Sequence, residues 1–349
     1  QGFWGLEFTH SLTVNADVIL GLGTRFAEAD SSSWYRGVTF DPDHTEFLQI
    51  DIDPMEIGRN YPVSIGAIGD LKLGLKQILE EVKKICPEGK KNPELRAKIA
   101  KAKKAFKESN VAISTDGRFP MTPQRILHDV KAVVPEDAHI FTDVGWNKNG
   151  VAQQFDVNVP GTIHHSSGLA TMGFGASAVL GGKLAAPDKV CLTLTGDGGF
   201  GVNPTCLATA VEQGIACTWV VMNNSAFGTI AGLENGNYGT KFGTVFQTPD
   251  GKSYSPSWAG VAKAYGVESI CVQSADEFLP AMKKAMAANK EGRPFLVEAP
   301  MENIVVPTPG CWNINDIYSP SALVKEGKLV KDEKGRFVAP NHAKSHKGK

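Results

Sequence analysis

Val190-Cys191-Leu192-Thr193-Leu194-Thr195-Gly196-Asp197-Gly198 and Cys217-Thr218-Trp219-Val220-Val221-Met222-Asn223-Asn224 decide the fold of this chain. Each is an apolar run of strand length closed by a short polar turn, the pattern of a fully buried strand. Residues 203–213 between them have the composition of a crossover helix. Asp197 and Asn224 lie 27 positions apart, about the length of one strand–helix–strand unit. A right-handed crossover places both strand ends on one edge of a parallel sheet, where ligands of open α/β folds bind. The fold class expected is therefore α/β, with doubly wound parallel sheets.

The residue types at that edge suit a divalent cation shared with phosphate. Magnesium prefers near-octahedral oxygen ligands and divides its shell between one or two carboxylates and substrate phosphates. Asp197 offers a carboxylate and Asn224 a neutral amide oxygen, and the turn after it adds a backbone carbonyl. Gly196, Gly198 and Gly199 let the main chain approach an anion closely. The plain alternative is a pair of strand-to-turn junctions, since Asp-Gly and Asn-Asn are common turn pairs. Both pairs together, each ending an apolar run at this separation, favour the clamp.

At these motifs the chain resembles the thiamine diphosphate enzymes, in the acetolactate synthase/pyruvate oxidase-like family. The family's signature is Gly-Asp-Gly followed by Asn-Asn after a helix. A second stretch, 166–175 (Ser-Ser-Gly-Leu-Ala-Thr-Met-Gly-Phe-Gly), is similar to a family segment with glycine at Ala170, and Asp143-Val144-Gly145 continues the likeness. Residues 50–58 (Ile-Asp-Ile-Asp-Pro-Met-Glu-Ile-Gly) resemble the middle domain of the family. The resemblance implies residues 1–88 as the C-terminal half of a nucleotide-binding-like middle domain and 89–118 as a helical linker. It implies 119–305 as the thiamine diphosphate/Mg2+-binding domain and 306–349 as an extended tail.

The resemblance also assigns roles. Asp197 and Asn224 hold Mg2+ through their side chains, and Ala226 through its carbonyl. Gly196, Gly198 and Gly199 lie against the diphosphate, and Asn147 contacts it. The Ala170 carbonyl accepts from the cofactor's 4′-amino group, and Met172 supports its bent shape. Trp146 and Phe227 are candidate walls of a substrate pocket. Each has a plainer reading: Met172 and Phe227 as core filling, and Asn147 as a helix cap. His164 and His165 match no catalytic position of the family and read as loop or strand-edge residues. No catalytic residue is assigned to this chain, because the family's activating glutamate sits on an N-terminal pyrimidine-binding domain that no segment here resembles. The chain is expected to be catalytically incomplete, as a fragment or a split subunit. Its partner would be that domain or subunit, in a homo- or hetero-oligomer (dimer or tetramer).

The reaction implied is carbon–carbon bond cleavage or formation on a small 2-oxo acid or 2-hydroxyacyl-CoA. A 2-oxo acid decarboxylase and a non-catalytic cofactor-binding subunit stand as alternatives. Related enzymes place FAD, ADP or nothing in the middle domain, and Gly21-Leu22-Gly23 with Asp51 and Asp53 resembles a nucleotide-binding arrangement lacking the full glycine fingerprint. Acetolactate synthases have Phe-Asp-Asp-Arg where this chain has Phe26-Ala27-Glu28-Ala29, and Gly-Gln-His-Gln at Gly145-Trp146-Asn147-Lys148. Both departures count against a housekeeping acetolactate synthase.

Composition sets outer bounds. The chain has 349 residues, enough for two cores, and 36 basic against 37 acidic side chains, so nothing points to nucleic acid. No apolar run approaches a membrane span and no signal peptide is visible. Six cysteines without a Cys-x-x-Cys pair fit reduced thiols and a cytoplasmic setting. In the first domain, 16–23 reads as a buried strand, and Asp70 caps a helix with Leu71, Leu75, Ile78, Leu79, Val82 and Ile85 on its apolar side. The basic end, 342–349, reads as disordered.

Overall fold

The computed structural model of the chain describes residues 2, 5–27, 31, 35–303, 320–340 and 343. The expectations for Glu28, Ala29 and most of the stretches 306–319 and 342–349 lie outside these residues. The chain forms two compact units, residues 1–105 together with 309–349, and residues 106–308.

In the first unit, helix Glu7–Val14 precedes strands β1 (Val18–Leu22), β2 (Glu46–Asp51) and β3 (Ile65–Ile68), and helix Leu71–Ile85 follows. The strands pair in parallel in the order β1-β2-β3, with Leu20 opposite Leu48 and Leu48 opposite Ile65. Phe26, Phe40, Phe47 and Tyr61 close one side as a cluster of rings. Asp70 caps the helix as expected, its carboxylate accepting from the Leu73 N–H at 3.0 Å.

Burial of this unit departs from expectation. Val18, Leu20 and Leu22, on one face of β1, are 53, 42 and 38 % exposed. Helix Leu71–Ile85 buries none of its residues, although its apolar positions fall on one side. Apolar patterning reports which face is built for burial; it does not report what covers that face. Parallel sheets are ordinarily covered on both sides, so this face is a large apolar surface in the described chain.

The described part of the expected extended tail is folded. Helix Pro320–Lys325 leads to short antiparallel strands Val330–Lys331 and Phe337–Val338. Leu323 and Leu329 are buried with Val38 in a small core. The prolines at 307, 309 and 320 suggested an extended chain, but the leucines and Val338 behind them supply enough apolar surface to fold back.

Helix Pro93–Ser114 lies within the expected linker and buries none of its residues. In the second unit, Thr122 caps helix Pro123–Val133 by accepting from the Arg125 N–H at 3.0 Å, with proline at the first helical position. The following strands are β4 (His139–Thr142), β5 (Ile163–His165), β6 (Cys191–Gly196), β7 (Thr218–Asn223), β8 (Glu268–Cys271) and β9 (Phe295–Pro300). They form one parallel sheet in the order β5-β4-β6-β7-β9-β8. β6 and β7 are neighbours, with Leu194 opposite Val220, and helix Cys206–Glu212 connects them.

Successive side chains of β6 and β7 enter two different cores, which is why both strands read as unbroken apolar runs. Leu192, Leu194, Val220 and Met222 pack toward helices Pro123–Val133 and Ala275–Lys290. Cys191, Cys217, Trp219 and Val221 pack on the other face toward helices Phe174–Ala185, Cys206–Glu212 and Trp258–Ala264. The Trp219 indole N–H donates to the Ala176 carbonyl at 2.9 Å, satisfying the one polar group of a fully buried ring. The five described cysteines are free thiols. No described helix is long and apolar enough to cross a membrane.

From β4 the chain runs outward to β5 and then returns to β6 on the other side of β4. The crevice beyond the carboxyl ends of β4 and β6 is therefore the switch point of the sheet, the usual ligand position in such folds. Asp143 and Asp197 flank it.

Candidate functional site

Asp197 follows β6 and opens the one-turn helix Asp197–Phe200. Its side chain is 1 % exposed, and its Oδ2 has no hydrogen-bond partner. Burial raises its pKa from 3.8 to about 6, against the opposing pull of nearby backbone N–H groups. No described cluster of three His, Cys, Asp or Glu side chains exists to bind a metal. A magnesium site does not require one, since amide and backbone oxygens serve as ligands.

Three oxygens converge at this point. The amide oxygen of Asn224 faces Asp197 Oδ1 at 3.0 Å and the Ala226 carbonyl oxygen at 3.0 Å. Its Nδ2 meanwhile donates to Asn303 Oδ1 at 3.3 Å. Three acceptors with no proton between them repel one another. Turning the amide over would supply two N–H donors but would set its oxygen against Asn303 Oδ1. A cation removes the repulsion without any turn. Adjacent ligands of an octahedral ion with bonds of ~2.0–2.1 Å are about 3 Å apart, the separation between the Asn224 oxygen and each of the other two. The residues present fit a magnesium ion, and Asp197 Oδ2 is a buried oxygen without a hydrogen-bond partner.

The clamp depends on unusual backbone. Among described non-glycine residues, Phe26, Ala170 and Ser225 have left-handed conformations, with φ of 47, 50 and 53°. Two of the three belong to this site. Ser225 reverses the chain between Asn224 and Ala226, so that a side-chain oxygen and a main-chain oxygen face one point. Each such residue costs about 1–2 kcal/mol, which surrounding contacts must offset.

Asp143 supplies such contacts for the Ala170 segment. It is fully buried at the end of β4, and its Oδ1 accepts from the N–H groups of Val144 (2.9 Å) and Gly173 (3.1 Å). Its Oδ2 accepts from Gly175 N–H at 2.9 Å. The carboxylate thus ties the segment around Gly173 and Gly175 to the sheet edge, and Met172 lies near Gly198. Sequence reasoning named Asp143 only as part of a motif. A carboxylate ending an apolar strand was the available signal.

The remaining expected residues fall as follows. A Cβ on Gly198 would lie 2.6 Å from the Phe227 ring and 3.5 Å from the Met172 methyl. Phe227 and Met172 are therefore brought together over Gly198, and Phe227 also packs edge-on against Phe246. A Cβ on Gly199 would lie 2.5 Å from Asp143 Oδ1, so this glycine admits the carboxylate. Gly196 is roomier: its nearest neighbour on that side is Asn147 Nδ2, at 3.9 Å. Asn147 is 2 % exposed; its Nδ2 donates to the Val144 carbonyl at 3.2 Å and its Oδ1 has no partner. Trp146 is 6 % exposed and packs in the core, away from the role of an open pocket wall. His164 is on the edge strand β5 and shares a 2.9 Å hydrogen bond with His139, and burial lowers its pKa.

The glycine turn of the first unit is occupied by protein. A Cβ on Gly21 would meet the Phe26 ring at 2.8 Å, and one on Gly23 would meet Leu71 at 2.9 Å. Asp51 accepts from Asp53 N–H and Asp53 from Met55 N–H, so both carboxylates shape the following turn. These glycines serve packing, and the arrangement offers no support for FAD or ADP.

A doubly wound domain with a diphosphate-type clamp at its switch point defines a class, and comparison with known proteins names it. Residues 143–299 match the thiamine pyrophosphate enzyme C-terminal TPP binding domain, and residues 1–78 match the central domain of the same enzymes. The chain belongs to the thiamine pyrophosphate enzyme family. Among its relatives is a probable acetolactate synthase large subunit of Methanocaldococcus jannaschii, 30% identical over 95% of this chain and 54% of that protein. A probable acetolactate synthase large subunit of Methanococcus aeolicus is 28% identical over 85% of this chain and 49% of that protein. A sulfoacetaldehyde acetyltransferase of Roseovarius nubinhibens is 29% identical over 85% and 51%. The chain spans about half the length of these relatives.

Proposed function

We propose that this chain supplies the diphosphate- and magnesium-binding half of a thiamine diphosphate-dependent active site. The reaction is the cleavage or formation of a carbon–carbon bond next to a carbonyl, on a small 2-oxo acid or 2-hydroxyacyl-CoA. The observation carrying this reading is the convergence of Asp197 Oδ1, the Asn224 amide oxygen and the Ala226 carbonyl at octahedral ligand spacing. These three oxygens would hold magnesium, which would neutralise charge on a diphosphate. Thiamine diphosphate, when bound, would supply a thiazolium that takes up the electron pair of a bond being broken and returns it to a bond being made.

The chain's own residues orient and shield. Asn147, with its Nδ2 beside Gly196 and its Oδ1 without a partner, would order polar groups at the diphosphate end. The Ala170 carbonyl would accept from the aminopyrimidine, and Met172 with Phe227 would exclude water above Gly198. The pyrimidine end would be completed by an N-terminal pyrimidine-binding domain or subunit within an oligomer. Calorimetric titration of thiamine diphosphate, with and without Mg2+, tests the reading. Binding should require Mg2+ and disappear in Asp197→Ala; equal binding by that variant would refute the clamp. The chain alone should show no normal turnover of a 2-oxo acid.

A further inference from the structure

Glu298 is a carboxylate in the middle of β9, 3 % exposed. No described cation pairs with it. Its partners are neutral donors: the Asn223 side-chain NH2 to Oε1 at 2.8 Å and the Ala259 N–H to Oε2 at 2.8 Å. The Cys271 thiol lies beside it, its pKa raised to about 11 by burial and by this carboxylate. A buried carboxyl group must be satisfied by such hydrogen bonds, and the proposed cofactor site gives it no other task.

Its task becomes visible one residue further on. Asn223 ends β7 immediately before Asn224. Its Nδ2 donates to Glu298 and also to Ser255 Oγ at 2.9 Å, while its Oδ1 accepts from the Ser225 N–H at 3.2 Å. Ser225 is the left-handed residue that turns Asn224 and the Ala226 carbonyl toward one another. An amide can sit either way round, and only one way offers an acceptor to the Ser225 N–H. A carboxylate accepts and never donates, so it forces the NH2 of Asn223 toward itself and the oxygen toward Ser225. A neutral glutamine in its place would tolerate both orientations.

We propose that Glu298 is a positioning residue of the metal clamp, acting through Asn223 to lock the Ser225 turn that brings the Asn224 and Ala226 oxygens together. The relay couples β9 to a turn it does not itself contain. Its carboxylate also accepts from the first turn of helix Trp258–Ala264, so the clamp is fixed against two separate elements. This inference rests on the proposed magnesium site and adds the residues that shape it.

The test is Mn2+ affinity of the full chain with thiamine diphosphate present, measured by electron paramagnetic resonance of free Mn2+, with circular dichroism as a check on folding. Glu298→Gln should weaken Mn2+ binding by roughly 10–100-fold, the range for lost outer ligand supports. The double variant Glu298→Gln/Asn223→Asp exchanges donor and acceptor. The new amide then donates to the new carboxylate, which still accepts from the Ser225 N–H, and affinity should return to within about threefold of the parent. A merely structural role predicts no such rescue. Wild-type affinity in Glu298→Gln overturns the proposal, as does a folded double variant that binds no better than the single one. If Glu298→Gln does not fold, the double variant decides alone: parental affinity supports the relay, while weak binding or failure to fold overturns it. A parent chain that takes up no Mn2+, or an Asp197→Ala variant that takes it up equally, overturns the clamp itself and this inference with it.

Discussion

Replacing the clamp carboxylate by its neutral isostere should make the metal-free chain more stable, at a pH that the structure specifies. Asp197 is buried, and without a cation its charge is uncompensated; burial raises its pKa from 3.8 to about 6. Below about pH 3 the side chain is protonated in the folded and unfolded states alike, and the group contributes nothing adverse. As pH rises through about 6, the folded chain must accept a charge that the unfolded chain accepts readily, and stability is lost. The separation of the two pKa values corresponds to about 3 kcal/mol above pH 7. Asp197→Asn removes this penalty. Its melting temperature in chelator should exceed the parent's by roughly 6–12 °C at pH 7.5, for a unit of this size, and by almost nothing at about pH 3. Urea or thermal unfolding followed by the fluorescence of the buried Trp219 reads the difference. Mg2+ and thiamine diphosphate at about 1,000 times Kd should reverse the order, since such a ligand stabilises the parent by ~4.1 kcal/mol, more than the penalty, and the variant by none. A gain that is absent at pH 7.5, or equal at both pH values, would refute the claim that this carboxylate is held at an energetic cost for a cation.

Two further outcomes follow from the geometry. Gly199→Ala places a methyl group 2.5 Å from Asp143 Oδ1 and 3.0 Å from Thr195 Oγ1; calorimetry should show cofactor affinity reduced at least about tenfold, with roughly 1–3 kcal/mol of stability lost to overpacking. Leu323→Ala empties a fully buried site beside Val38, so hydrogen exchange should speed up around Val38 by the equivalent of about 2–5 kcal/mol; unchanged exchange there would mean that the C-terminal helix does not stabilise the first unit.

The sequence by itself determined the elements whose signals are local. Two apolar runs ending in Gly-Asp-Gly and Asn-Asn predicted adjacent parallel strands, and β6 and β7 pair as neighbours with Asp197 and Asn224 at their ends. The caps at Asp70 and Thr122 were equally legible, because a cap joins residues three apart. Phe227 and Met172, singled out as candidates, come together over Gly198, whereas the candidate wall Trp146 is buried: a tryptophan at a helix start carries no mark of which way the core lies. The exposed apolar face of the first unit and the folded segment 320–340 were misread for the same reason, since hydrophobic pattern gives a face but not its cover.

Only the tertiary structure decided how the clamp is held. Asp143 reaches Gly173 and Gly175 across 30 and 32 positions, and Glu298 reaches Asn223 across 75. No periodicity or turn chemistry encodes contacts at such separations. They depend on sheet order, which places β4 beside β6 and β9 beside β7. The candidate metal ligands sit at strand ends and can be read from their own residue types. The carboxylates of Asp143 and Glu298 make their contacts through space, and these exist only once the sheet has brought distant strands within hydrogen-bonding distance.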